Sequence, residues 1–264
     1  MIGAPAPIFY LHVRSRGCTA EIRLNDAPIF AVTREAAQQA FPTVSEWVIA
    51  GENLLSVDLI ELDPDPSRAR LHVALCEATI GAVPEPGHER ELCVIDWPIA
   101  PEPPSAPTTL REVGIASHPW GEWSWQRAPE FAADLRTTAD VIDYVRSLHA
   151  ELAAGRIDAL VAHSATKFSE VAPAYAMSAA EAEQRLRGVW AALSSTPGWQ
   201  LAAFDENDIE LRLHCDGRLV EPTTLAGEPI LRQLRAIDGE RWSLPIFIAR
   251  THWEYTAGRL TIVR

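Results

Sequence analysis

The chain has 264 residues, of which 47% are hydrophobic and 22% charged, so it carries enough apolar material for a packed core and is not a disordered chain. Its net charge of −13 argues against nucleic-acid and anionic-membrane partners, both of which want a basic face. This length fits one large domain or two ordinary ones.

Residues 1–15, MIGAPAPIFYLHVRS, show neither the basic start nor the apolar run of a secretory signal. No apolar stretch is long enough for a membrane helix, so a cytoplasmic location is expected. The four cysteines, Cys18, Cys76, Cys93 and Cys215, have no C-x-x-C spacing and are read as free thiols. The basic residues are 22 Arg and the single Lys167, read as a codon bias of the source genome.

From the N-terminus the pattern has period two. Phe9, Leu11 and Val13 alternate with Tyr10, His12 and Arg14. Ala20, Ile22 and Leu24 repeat the pattern, followed by Leu55, Val57 and Leu59, then Ala69, Leu71, Val73 and Leu75. Turn signals separate these runs at Asn25-Asp26, Gly51-Glu52-Asn53, Asp63–Pro66 and Pro86-Gly87. One short helix is predicted near Thr33–Ala40. The pattern predicts an all-β antiparallel sandwich over residues 1–97.

Residues 98–107, PIAPEPPSAP, hold five of the 20 prolines and read as a semi-rigid linker. Residues 1–107 carry 7 basic and 15 acidic residues, net −8; residues 108–264 carry 16 and 21, net −5.

Residues 108–264 are predicted to form a second, α+β domain. Trp120, Trp123 and Trp125 form an aromatic run; on a strand, Trp123 and Trp125 share a face able to stack on a sugar or a partner. The plainer reading is a cover for a domain seam. Thr137-x-x-Asp140 resembles a capping box, with Val141, Val145, Leu148 and Leu152 as the buried stripe and Gly155 as the stop. A second helix is expected over Ile157–Ser169. Ser178-x-x-Glu181 is a full capping box, followed by the stripe Leu186, Val189, Trp190 and Leu193. Strands return at Ile209–Cys215, at Trp242–Ile248 and at Leu260–Val263. Asp216-Gly217 reads as a hairpin turn. Helices first and strands afterwards predict helices packed on a curved antiparallel sheet.

The segment around VIDYVRSLHAELAAGRIDALVA, with Gly155-Arg156-Ile157-Asp158-Ala159-Leu160 at its turn, resembles the opening of the nuclear-transport-factor-like (cystatin-like cone) superfamily. The resemblance implies a curved sheet wrapped on a long helix around an apolar pocket. Some members are cyclases or isomerases; many bind or assemble. Ile22–Ile29 and the Gly51-Glu52-Asn53 turn resemble those of jelly-roll sugar-binding domains, where this segment is structural.

His214 and Asp216 flank the hairpin turn and are the candidate acid/base pair, with Asp205, Glu206 and Asp208 upstream. The plainer reading is a solvated turn. Binding candidates are Trp120, Trp123, Trp125, Trp190, Trp242 and Trp253. The eight histidines show no metal-ligand spacing, and no nucleophile elbow or phosphate loop is present, so no metal and no cofactor are expected. The leading expectation is a non-catalytic accessory protein of the immunity type acting through protein contact. The alternative is a small apolar ligand, bound or isomerised in a C-terminal pocket lined by His214, Trp190, Trp242 and Trp253. Carbohydrate binding by the N-terminal half is the third reading.

Overall fold

The computed structural model describes residues 6–65, 68–81, 89–98, 106–132, 134–253 and 256–264; for 252, 253 and 256–258 the description is of the backbone alone. The chain is mostly antiparallel sheet, with four α-helices toward the C-terminus among the described residues. It divides into two compact units: 1–122 with 174–176, and 123–173 with 177–264. No helix of the described residues is long and apolar enough to cross a membrane.

The first unit has strands β1 (Pro7–Arg16), β2 (Cys18–Leu24), β3 (Ala27–Val32), β4 (Gln38–Ala40), β5 (Gly51–Leu62), β6 (Arg70–Thr79), β7 (Arg90–Trp97) and β8 (Thr108–Ala116). They form two four-stranded sheets, ordered β4-β1-β6-β7 and β3-β2-β5-β8. Phe9, Leu11 and Val13 are fully buried, but Tyr10 and His12 between them are buried as well, so β1 is covered on both faces over this run. Asn25 and Asp26 both take positive φ, the primed-turn geometry that suits a two-residue hairpin, and they join β2 to β3. The helix predicted near Thr33–Ala40 is a strand instead: Gln38–Ala40 pairs with Val13–Ser15, where ladder bonds to β1 outweigh local helix propensity.

The Gly51-Glu52-Asn53 turn is held by an amide network. Asn53 is fully buried; its Oδ1 accepts from the Ile49 N–H at 2.8 Å and from the Asn25 amide at 2.9 Å. Its own Nδ2 donates to the Ile49 and Gly51 carbonyls. The turn is structural, and its polar groups are occupied internally.

Most of the proline-rich stretch, residues 99–105, lies outside the described residues. The strand that follows it, β8, pairs with β5 from Leu59↔Thr108 to Gly51↔Ala116. The division between the units therefore falls after Glu122, not at residues 98–107. Gly114 is where β8 meets β7: a Cβ there would stand 3.0 Å from the Cys93 Sγ and 3.2 Å from the Leu92 Cβ.

The second unit has helices α1 (Leu135–Ala153), α2 (Ile157–His163), α3 (Ala165–Ala174) and α4 (Ala179–Ser195). Its strands are β9 (Ile209–His214), β10 (Leu219–Thr224), β11 (Leu231–Arg232), β12 (Ser243–Leu244), β13 (Ile248–Trp253) and β14 (Thr256–Ile262). The four-stranded sheet runs β14-β13-β10-β9, and β11 pairs with β12. Helix α1 starts earlier than Thr137: Asp134 caps it, accepting the Thr137 N–H at 2.7 Å. Gly155, at φ +77, ends it while the Arg156 N–H bonds to the Glu151 carbonyl. The helix predicted over Ile157–Ser169 breaks at Ser164 into α2 and α3. The Ser178/Glu181 capping box forms as expected. The strand predicted over Trp242–Ile248 is split, because Pro245 has no N–H to give a ladder.

The core of this unit is one cluster of buried side chains from helices and strands. Val141, Val145, Leu148, Leu152 and Leu160 of the helices pack with Val220, Ile246, Ile248 and Ile262. Trp190 lies among them with its ring edge-on to Trp199 at 5.1 Å and to Trp242 at 6.1 Å. The stripe on α4 is narrower than predicted: Trp190 is buried, Leu186 is half-buried and Val189 is exposed. Leu213 of β9 is exposed as well.

Candidate functional site

The hairpin candidates separate. Asp216 is exposed in the tight turn at φ +55, where an acidic residue is at home in solvent. His214 points the other way and is buried; its ring Nε2 lies 3.1 Å from the carboxylate of Glu221 on the neighbouring strand β10. Phe247 stands edge-on to its ring at 5.7 Å. The expected His214–Asp216 pair is thus replaced by His214–Glu221, a closed interior contact. Asp205, upstream, caps a short 3-10 turn, and Glu206 pairs with Arg146 at 2.5 Å.

The tryptophans are placed as packing residues. Trp123 and Trp125 sit in and beside a 3-10 turn, Ser124–Arg127, not on a strand, and are 1% and 5% exposed. The Arg264 guanidinium lies 4.7 Å above the Trp123 ring and pairs with Glu170 at 3.2 Å, while Glu170 also accepts the Ser124 N–H. Trp120 stacks on His118 at 4.7 Å and meets Phe9 edge-on at 5.9 Å. Trp190 and Trp242 belong to the core cluster described above. The side chain of Trp253 lies outside the described residues. All four cysteines are buried thiols outside any disulfide. Burial pushes the Cys76 thiol up to about 12 and the Cys93 thiol up to about 11, which makes both poor nucleophiles.

A different place in the second unit has open chemistry. The end of α2 and the start of α3 face β13 and β14 across a pocket of about 410 Å³. His163, Thr166, Thr251, Arg259 and Thr261 supply its polar lining, and Ala162 and Ala165 its methyl groups. The break at Ser164 shapes this lining, because it separates two short helices at the residue after His163. Thr261 donates its hydroxyl to the His163 carbonyl at 3.0 Å, and Thr251 donates to the Arg259 carbonyl at 3.3 Å. These two bonds tie helix to strand and strand to strand around the rim.

The electrostatics have one sign. No carboxylate is among the lining residues, and Arg259 has no ion-pair partner among the described residues. Burial, then the Arg259 charge, hold the His163 pKa below its ordinary value, so the ring is neutral near pH 7. Tyr144 of α1 stands edge-on to His163 at 4.9 Å. Its hydroxyl is buried without a hydrogen-bond partner among the described residues, and burial raises its pKa. A guanidinium and an imidazole thus line the pocket, with a phenol ring against the imidazole, and no carboxylate lines it among the described residues. Sequence reading missed this set, since Tyr144, His163 and Arg259 share no spacing and meet only through the fold.

No family model, curated protein or solved structure matches this chain. Among the described residues, no group of three His, Cys, Asp or Glu side chains is placed to hold a metal ion.

Proposed function

We propose that the chain is a non-catalytic binding protein whose C-terminal unit holds a small carboxylate-bearing molecule in the His163 pocket. One observation carries the reading: Arg259 stands unpaired, among the described residues, at a pocket with no acidic lining residue. A guanidinium meets a carboxylate through two parallel N–H bonds, stronger than neutral hydrogen bonds. On this reading Tyr144, edge-on to His163 with its hydroxyl unpartnered among the described residues, turns that hydroxyl to the ligand as a further donor, and Ala162 and Ala165 favour an apolar body behind the head group. The volume lies in the usual range for small-molecule sites. This keeps the apolar ligand expected from the cone-like resemblance and adds an anionic end to it. On the same reading the first unit is a β-sandwich domain and the second a cone-like domain whose interior is filled, with the ligand at the helix–sheet rim. His163 lacks a carboxylate in the lining to orient it as a base, so the reading is binding without turnover.

The test is calorimetric titration of the full chain with hexanoate and with its neutral analogue hexanamide. Hexanoate should bind at least about tenfold more tightly than the amide. Equal binding of the two, or none of either, overturns the reading.

Protein contact, the other binding mode expected from the sequence, is favoured by a separate feature. Leu54 lies directly opposite Val113 in the β5–β8 pair, and Val113 and Ile115 are 52% and 56% exposed on the terminal strand of their sheet. Such an apolar edge is a pairing surface unless covered. If it pairs, Val113→Lys weakens that association and leaves hexanoate binding unchanged.

A further inference from the structure

Residues 1–107 are acidic overall, net −8, yet one corner of their first sheet is basic. In the β1–β6 pair, Arg14 lies opposite His72 and Arg16 opposite Arg70. Directly opposed residues share a face, and so do residues two apart on one strand. Four basic side chains therefore make a two-by-two grid. It borders a pocket of about 430 Å³ whose one lining carboxylate among the described residues is Asp96. That carboxylate is taken: it lies opposite His72 on β7 and 2.8 Å from the His72 Nδ1. Arg14 and Arg16 have no ion-pair partner among the described residues, and Arg70 donates to the Ala69 carbonyl at 2.6 Å. The His72 Nε2 is buried and has no hydrogen-bond partner among the described residues.

Like charges set directly opposite across two strands repel. Here Arg16 faces Arg70 in a half that has only seven basic residues. A concave surface lined by one sign of charge focuses the field and concentrates the opposite ion. Three guanidinium groups less the Asp96 carboxylate leave a local charge near two, which matches a phosphoryl group near neutral pH. Planar guanidinium forks also suit its oxygen geometry. We propose that this pocket binds the phosphoryl group of a small soluble molecule, held by Arg14, Arg16 and Arg70. This is a second site, independent of the His163 pocket.

The test is calorimetric titration of the full chain with pyrophosphate at low and high salt. Binding should appear at millimolar concentration or below and weaken as salt rises. The double variant Arg14→Gln with Arg70→Gln should weaken it at least about tenfold, whereas Arg259→Gln should leave it unchanged. A thermal melt of the double variant without ligand should match or exceed wild type, because a repulsion has been removed; this separates lost binding from lost folding. Sedimentation with phosphoinositide-containing vesicles is the second arm, and no binding is expected of a chain with net charge −13. No response to pyrophosphate, a double variant that binds as wild type does, or binding to vesicles alone would each overturn the proposal.

Discussion

The His214 hairpin and the His163 pocket hold similar side chains in opposite conditions. At the hairpin, a buried imidazole meets the Glu221 carboxylate at 3.1 Å, and Phe247 closes over the ring. At the pocket, the imidazole has an arginine beside it and no carboxylate in the lining, and a buried phenol O–H nearby has no partner among the described residues. Residue type suggests acid/base chemistry at the first and nothing at the second. Hydrogen-bond completeness reverses that judgement. A closed pair has its capacity satisfied within the fold, whereas an open donor set keeps it for something that arrives.

Substitutions can break this comparison, starting with the core that both regions share. Trp190→Ala should cost about 3–5 kcal/mol in a denaturant melt, as expected for a packed core aromatic. A loss under about 1 kcal/mol would mean that the interior beneath α4 is hollow, and the ligand site would have to move there. Glu221→Ala should cost about 1–3 kcal/mol, because it leaves the buried His214 ring without its carboxylate. Removing an open donor should behave differently. Tyr144→Phe should change stability by no more than about 0.5 kcal/mol, since the lost hydroxyl has no partner among the described residues, while hexanoate affinity falls.

Acid sharpens the same contrast by a smaller amount. Burial is the main cause that holds His149 and His163 below the ordinary histidine value. The unfolded chain therefore binds more protons once the pH drops below about 6.5, and stability should decline from there toward the lowered folded values. It should be undiminished above that range. A bound carboxylate offsets the Arg259 charge at His163, so hexanoate affinity should rise as pH falls toward the lowered pKa of His163. One coupled proton limits that rise to about tenfold per pH unit.

Much of the fold was legible because local signals and tertiary contacts agree. The alternation at Ala20, Ile22 and Leu24, the Asn25-Asp26 turn and the Ser178/Glu181 box each act over a few residues and survive intact. Failures arise where a partner distant in sequence decides. Gln38–Ala40 becomes a strand because β1 is there to pair with it. One failure is local: the predicted start at Thr137 gives way to Asp134, which caps α1 three residues earlier. The site was the least legible part. Its residues come from α1, the end of α2 and the β13–β14 pair, over a hundred residues apart, and only sheet register sets Thr251 opposite Arg259. Tryptophans drew notice by their size, yet size is what buries Trp123 and Trp190.

The central claim is that Arg259, unpaired among the described residues, makes the His163 pocket a carboxylate site. Its most direct test is to titrate hexanoate into wild type and into Arg259→Gln, with a thermal melt to show that both are folded. The account predicts saturable one-to-one binding to wild type and a loss of at least about tenfold in the variant, at unchanged melting temperature. Equal affinity in the two folded proteins would contradict it.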